Sequence, residues 1–411
     1  MNTLSLMIQN EFQNTFFVLV SFVFSVSFLG FYFLLKLKKT RMRPLRNLFY
    51  IPARKSTTDA IQLGGLPLSL SIILGLSLCI IIPEINQIFS FKQIVILKRA
   101  IPISFLVTLY GFLDDRFELR PVVKLIFQVI TSASISLAIA STLYSKNSSI
   151  SFIILFIWNM GVINGANLLD GLDTMSIKLN TVTMIGFCCV ALLYSTYEIL
   201  IPVAIVQATL FSFYFFNNAP SKIHLGEIGG SFLGLISLVV AALIYVHPKN
   251  ISTINNASLS LMMLSLPMVE LGVSFLRRLL NKKNPFRGDR FHVHHILRNY
   301  HEMKPTTVTS LMSLVYFSSL IPAIISSKTV PIFVSYLFVV SSLIVSYLLV
   351  GSKYWITKDS IRISAKSVFN SLRKKDVTVI DSSKIDNFRL IILDEDIERE
   401  IEEIYEDDKA A

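Results

Sequence analysis

The sequence predicts an all-α, polytopic membrane protein with about eleven transmembrane helices, its N-terminus outside and its C-terminus cytoplasmic. Three observations predict it. Of the 411 residues 53% are hydrophobic and only 16% charged, with a mean hydropathy of +0.62, far from the balance of a soluble domain. Runs such as FFVLVSFVFSVSFLGFYFLL (16–35) and PIFVSYLFVVSSLIVSYLLVG (331–351) carry no charge over a length that crosses the hydrocarbon core as a helix. Basic residues are unevenly shared between the intervening loops, as the positive-inside rule requires.

In chain order, run length places spans at 16–36, 65–83, 96–113, 121–143, 150–164, 179–196, 198–216, 231–247, 257–279, 308–326 and 330–351. Two are weak: 96–113 includes Lys98 and Arg99 near its start, and 150–164 is short. The N-terminus has no basic n-region, so the first run reads as a retained anchor rather than a cleaved signal. With the N-terminus outside, the basic groups from Lys36 to Lys55 and from Arg277 to Lys304 fall inside with Arg116, Arg120, Lys178 and Lys222. Lys92, Lys98, Arg99, Lys146, Lys249 and Lys328 fall outside. The net charge of +11 therefore reads as topology and anionic-lipid contact, not as a nucleic-acid surface. Cys79, Cys188 and Cys189 lie in apolar runs and suggest neither a disulfide framework nor a metal site. Asn250 and Asn256 match glycosylation sequons by chance. Residues 1–351 form the transmembrane domain and 352–411 a cytoplasmic tail. In that tail DVTVIDSSKIDNFRLIILD alternates like two short strands, and Ile397, Ile401 and Ile404 mark one face of an acidic helix.

The unusual polar segments all sort to the cytoplasmic side. GFLDDRFELRPVVKL (111–125) puts adjacent Asp114 and Asp115 at the end of one span and Lys124 inside the next; two neighbouring carboxylates need positive charge nearby. In NGANLLDGLDTMS, Asn164, Asn167, Asp170 and Asp173 recur every third residue, so a continuing helix would put them on one face, although Asn, Asp and an Asp-Gly pair also serve as caps and turns. In HLGEIGGSFLG, Glu227 sits among glycines that permit close backbone approach. Oxygen ligands of this kind suit Mg²⁺, with Mn²⁺ as the alternative. DRFHVHHIL holds His292, His294 and His295 beside Arg290; the spacing fits no common zinc site, and imidazoles among arginines suit a phosphate-rich ligand. Together these form the inventory for metal-assisted phosphoryl transfer. There is no Walker A sequence.

On these four motifs, in this order, the sequence resembles the polyprenyl-phosphate N-acetylhexosamine-1-phosphate transferases, the superfamily of WecA-, TagO- and MraY-type enzymes (glycosyltransferase family 4), over residues 16–351. The His-x-His-His form is closer to the WecA-like branch. The resemblance implies transfer of a sugar 1-phosphate from a UDP-sugar, such as UDP-N-acetylglucosamine, to undecaprenyl or another polyprenyl phosphate. UMP is released and cell-surface polysaccharide synthesis begins at the cytoplasmic face of a bacterial inner membrane.

It also implies roles for individual residues. Asp114 and Asp115 would be the essential pair, one of them a proposed base, and Asp170 and Asp173 further catalytic carboxylates. Lys124, Arg54 and Lys55 would bind phosphate, and Asn164 and Asn167 would line the nucleotide and metal site. Glu227, Asp115 and Asp170 would hold the metal, and Arg290, His292, His294 and His295 would contact the donor. A homodimer is compatible with such a scaffold. Three departures from the family pattern point to a shifted donor preference: Glu227 for the usual aspartate, Thr174 for a usual glycine, and Ser56 and Thr57 where a histidine customarily follows Arg54-Lys55. The competing readings are an MraY-like muramyl-pentapeptide transferase, a transporter or flippase, and an inactive scaffold. The acidic sites at helix ends and the lack of an evident repeat weigh against transport.

Overall fold

The computed structural model describes residues 10–38, 49–52, 60–142, 148–247, 253–282, 284–285, 289 and 291–355. The chain divides into two compact units, Met1–Leu271 with Met312–Leu343, and Gly272–Leu311 with Ile344–Ala411. The tail beyond residue 355 lies outside the described residues, as do Arg54, Lys55 and Arg290.

All named elements are helices: α1 (Asn10–Leu37), α2 (Gly65–Ile81), α3 (Pro83–Asn86), α4 (Phe91–Phe117), α5 (Pro121–Ala140), α6 (Ser148–Leu168), α7 (Met175–Tyr194), α8 (Leu200–Asn217, preceded by a 3₁₀ turn Tyr197–Ile199), α9 (Gly226–Tyr245), α10 (Thr253–Met263), α11 (Ser265–Leu280), α12 (Val293–Asn299), α13 (Pro305–Ser326) and α14 (Ile332–Trp355). Among the described residues 9 helices are long and apolar enough to cross a membrane, or up to 10 if the bent pair α10–α11 counts as one. The expected span at 65–83 is the shorter α2, of 17 residues.

The bend in that pair, 66°, has an evident cause. Pro267 lies in the first turn of α11, and proline disfavours helical geometry before it and donates no N–H. The backbone carbonyl of Met263, at the break, accepts the Tyr316 hydroxyl at 2.7 Å.

Two other ends differ from the sequence expectation. Helix α4 starts at Phe91, earlier than 96, because Ser90 and Gln93 form a reciprocal capping box. Lys98 and Arg99 therefore lie within the helix, both exposed, and Arg99 donates to the carbonyl of Ala138 at the end of α5. Helix α6 runs on to Leu168, well past 164.

In the first unit α9 is the hub, almost wholly buried and packed against α4, α6, α2 and α10. In lipid such association rests on close packing more than on apolar burial. A Cβ on Gly111 of α4 would lie 2.5 Å from the Ile228 Cα of α9, so glycine sets how near these two helices approach.

Candidate active site

The first unit gathers one cluster where α4 ends, α5 and α9 begin and α6 passes into its following loop. Asp114 and Asp115 occupy the last turn of α4, each 2% exposed. Glu118 closes that helix in the left-handed region (φ 50°) and donates its N–H to the Asp114 carbonyl at 2.9 Å. The turn brings Pro121 to the first position of α5, where its fixed φ suits a helix start, and Lys124 one turn on. Lys124 Nζ meets Asp114 Oδ2 at 2.7 Å, while Asp114 Oδ1 accepts the Leu119 N–H at 3.0 Å.

Asp115 faces the other way, across to α9. Its Oδ1 accepts the Glu227 N–H at 3.0 Å and the Gln62 side-chain amide at 3.1 Å; its Oδ2 accepts the Ile228 N–H at 3.3 Å. A carboxylate from one helix thus caps the N-terminus of another, satisfying otherwise orphaned N–H groups and meeting the positive end of the helix dipole. Gly226 makes this approach possible: its φ is +74° and a Cβ there would lie 2.6 Å from Asp115 Oδ2.

With its backbone so fixed, Glu227 places Oε2 2.7 Å from the Asn167 Nδ2, which donates to it. Asn167 lies on α6, one residue before its last. Asn164 lies one turn earlier and donates instead to the Met160 carbonyl of its own helix at 2.8 Å. The predicted single helical face is not formed: α6 stops at Leu168, and Asp170 and Asp173 lie in the following loop, where Asp-Gly turn chemistry prevails over helical periodicity.

The Asp170 Oδ1 accepts the Ser176 hydroxyl at 2.7 Å. Burial, then the charges of Glu227 and Asp173, push its carboxyl up to about 7 against that hydrogen bond. Asp173 accepts the Ser221 N–H at 3.2 Å and lies 3.5 Å from the His224 Nδ1. Burial lowers the His224 imidazole pKa, partly offset by Asp173.

Among the described residues no three His, Cys, Asp or Glu side chains close on a common point, so Glu227, Asp115 and Asp170 do not form a protein-only triad. Asp115 is committed with both oxygens to N–H donors. Glu227 and Asp170 each have one oxygen engaged by a neutral donor, and the charge of Glu227 raises the proton affinity of Asp170. Two such carboxylates fit a hard cation that completes its shell with substrate phosphates and water.

The histidines belong to the second unit. Helix α12 begins after His292, whose Nδ1 lies 3.2 Å from the Ser274 hydroxyl. The His292 and His294 rings stack at 5.7 Å and the His294 and His295 rings approach to 4.2 Å.

Gln62, Ser176, Asn217, Ser221 and His224 were not singled out in the sequence. Only His224 carried a signal, standing three residues before Glu227 in the same motif.

The model of "Glycosyl transferase family 4" matches residues 99–247, a stretch that contains this cluster from Asp114 to Glu227. The "Probable undecaprenyl-phosphate N-acetylglucosaminyl 1-phosphate transferase" of Bacillus subtilis (strain 168) is 25% identical over 295 residues, 68% of this chain and 77% of that protein. The "Undecaprenyl-phosphate alpha-N-acetylglucosaminyl 1-phosphate transferase" of Thermotoga maritima is 27% identical over 220 residues, 52% of this chain and 67% of its own length. The "Phospho-N-acetylmuramoyl-pentapeptide-transferase" of Lactococcus lactis subsp. cremoris (strain MG1363) is 30% identical over 94 residues, only 22% of this chain and 29% of that one. With the paired aspartates and the Glu227 motif set in a helical membrane bundle, residues 99–247 of the chain match glycosyl transferase family 4.

Proposed function

We propose that this membrane-embedded enzyme transfers N-acetylglucosamine 1-phosphate from its UDP-sugar to undecaprenyl phosphate at the cytoplasmic face of a bacterial inner membrane. Sugar-1-phosphate transfer to a polyprenyl phosphate is the activity of the family. Relatives named for the N-acetylglucosaminyl reaction align over far more of the chain than those named for the pentapeptide reaction, which favours the acetylglucosaminyl donor. The observation that carries the reading is the pair of opposed carboxylates, Asp114 held by Lys124 and Asp115 holding Glu227 in place.

In the reaction a phosphate oxygen of the lipid attacks the phosphorus bearing the sugar. A new P–O bond forms, the bond to the UMP phosphate breaks, and UMP leaves with the electron pair. Lys124, about one-third exposed (31%), offers a cation to the acceptor phosphate, and Asp114 fixes its reach. A divalent cation, Mg²⁺ in this proposal, would be held by Glu227 and Asp170 and would neutralise the donor's diphosphate. Asn167 orients Glu227 and Ser176 orients Asp170, so the two carboxylates are set before substrate arrives. His224, kept neutral by burial, holds Asp173 and the segment leading into α9.

The test is an assay of purified protein in detergent with undecaprenyl phosphate, Mg²⁺ and a panel of UDP-N-acetylhexosamines, following UMP and lipid-linked sugar together. Stoichiometric UMP and lipid product from UDP-N-acetylglucosamine is expected; turnover only with a muramyl-pentapeptide donor would refute the donor assignment. The pH profile adds a second check. Because the Asp170 carboxyl is raised to about 7, it is largely protonated below that pH and ionised above it. At limiting Mg²⁺ activity rises through about pH 7, and saturating Mg²⁺ moves the midpoint to lower pH as cation and proton compete. A profile insensitive to Mg²⁺ concentration would remove Asp170 from the cation site.

A further inference from the structure

A break in a membrane helix frees backbone carbonyls, and at the α10–α11 break each of them finds a side-chain donor. Pro267 has no N–H, so the carbonyl four residues earlier, that of Met263, loses the partner an unbroken helix would supply. In the hydrocarbon core no water is at hand, and such a carbonyl needs a protein donor. The hydroxyl of Tyr316, on α13, supplies it at 2.7 Å. The two carbonyls before it are covered as well. The Ser265 hydroxyl donates to Met262 at 2.8 Å and, less closely, to Leu261 at 3.3 Å. Tyr316 is 1% exposed, and its oxygen also lies 3.3 Å from the Thr183 hydroxyl of α7. A buried phenol from another helix thus stands in for a missing backbone N–H and fixes where the break falls.

The carboxylate cluster leans on that break. The first turn of α11 lies against glycines of α6: a Cβ on Gly165 would lie 2.0 Å from the Pro267 carbonyl oxygen, and one on Gly161 2.5 Å from the Met268 sulfur. Gly161 and Gly165 stand one turn apart, the small-residue spacing that lets helices approach closely in lipid. The other side of α6 meets α9. A Cβ on Gly230 would lie 2.3 Å from Asn167 Oδ1, and one on Gly234 3.0 Å from Ala166 Cβ. The end of α6 is therefore held between the start of α11 and the first turns of α9. Asn167, two residues beyond Gly165, donates from there to Glu227 Oε2.

We propose that Tyr316 is a positioning residue for the carboxylate cluster: it sets the elbow at Met263, the elbow holds α6 against α9, and Asn167 is thereby aimed at Glu227. This rests on the transferase reading above, in which Glu227 and Asp170 hold the divalent cation. Tyr316 acts through α11 and α6, not by contact with substrate.

The variant Tyr316→Phe removes one hydroxyl and tests this in the full chain. The Mg²⁺ concentration giving half-maximal activity rises about tenfold, the lower end of the loss expected when a residue that orients a metal ligand is disturbed. The KM for undecaprenyl phosphate stays within about twofold. A second variant separates geometry from the mere need for a donor. Pro267→Ala in the Tyr316→Phe background gives Met263 a helical N–H partner and straightens the break. Its Tm returns toward that of the parent while the Mg²⁺ requirement stays raised. A Mg²⁺ requirement restored together with Tm would show a carbonyl that only lacked a donor and overturn the proposal; so would a Tyr316→Phe protein with a lower Tm and an unchanged Mg²⁺ requirement. Hydrogen exchange by mass spectrometry gives a readout that needs no turnover. In Tyr316→Phe the amides of residues 163–169 exchange faster along with those of 261–268, because the end of α6 loosens with the elbow. Faster exchange confined to 261–268 overturns the positioning role even in an active enzyme. A parent protein silent with every donor, in which the two segments still loosen together, counts against the transferase reading alone.

Discussion

Thr174 holds a left-handed backbone conformation (φ 64°, ψ −2°) as the residue before α7, while 3% exposed. A β-branched residue pays strain there, and that is the position where the family resemblance expects glycine. The strain is held by neighbours: the Thr174 N–H donates to Asn217 Oδ1 at 2.8 Å, and Asn217 Nδ2 donates to the Ile223 carbonyl at 2.9 Å. Asn217 thereby ties the Asp170–Asp173 loop to the segment that leads into Glu227. Thr174→Gly should relieve the strain and raise stability by about 1 kcal/mol, visible as a higher Tm in detergent; a lower Tm would mean that the buried methyl and hydroxyl matter more than the backbone. At this scale the sequence was legible where charge is out of place. Asp114, Asp115, Lys124 and Glu227 stand out because ionisable groups at the edge of apolar runs need a reason. Gln62, Ser176 and Asn217 were not legible, being ordinary polar residues; the partners that give Gln62 and Asn217 their roles lie 53 and 43 residues away in the chain.

Helix ends position the site. Asp115 acts from the last turn of α4 on the first turn of α9, so the geometry of Glu227 depends on a cap supplied by another helix. Gly226 is the weak point of that joint. An alanine there would strain a φ of +74° and place a methyl 2.6 Å from the Asp115 carboxylate, pushing apart the residues that fix Glu227. Gly226→Ala should cost about 1–3 kcal/mol of stability and lower kcat at least about a hundredfold, given how steeply rate falls with misplacement. Activity within about threefold of the parent would mean that the cap does not set Glu227. Hydropathy located the spans but misplaced their ends, since ends are decided by caps and turns. Ser90 and Gln93 start α4 before its apolar run begins, and the turn at Asp170-Gly171 stops α6 where threefold spacing suggested continuation. Pro267 breaks in two what composition reads as one span.

Across the whole molecule, the paired aspartates and Gln87 lie at opposite ends of α4, a helix of 27 residues, about 40 Å at the usual rise. Asn218, between α8 and α9, belongs to the aspartate end, since α9 begins there under the Asp115 cap. Single cysteines at Asn218 and Gln87, both exposed, therefore report opposite faces of the membrane once Cys79, Cys188 and Cys189 have been replaced. In the proposed orientation, which rests on the uneven basic charge, the aspartate end is inside. An impermeant thiol reagent should accordingly label Gln87→Cys in intact cells and Asn218→Cys only after permeabilisation. The reverse pattern would put Asp114, Asp115 and Glu227 on the face away from the cytoplasmic pool of nucleotide sugars. The carboxylate cluster would then have no donor phosphate to meet, and the proposed reaction, not only its orientation, would fall.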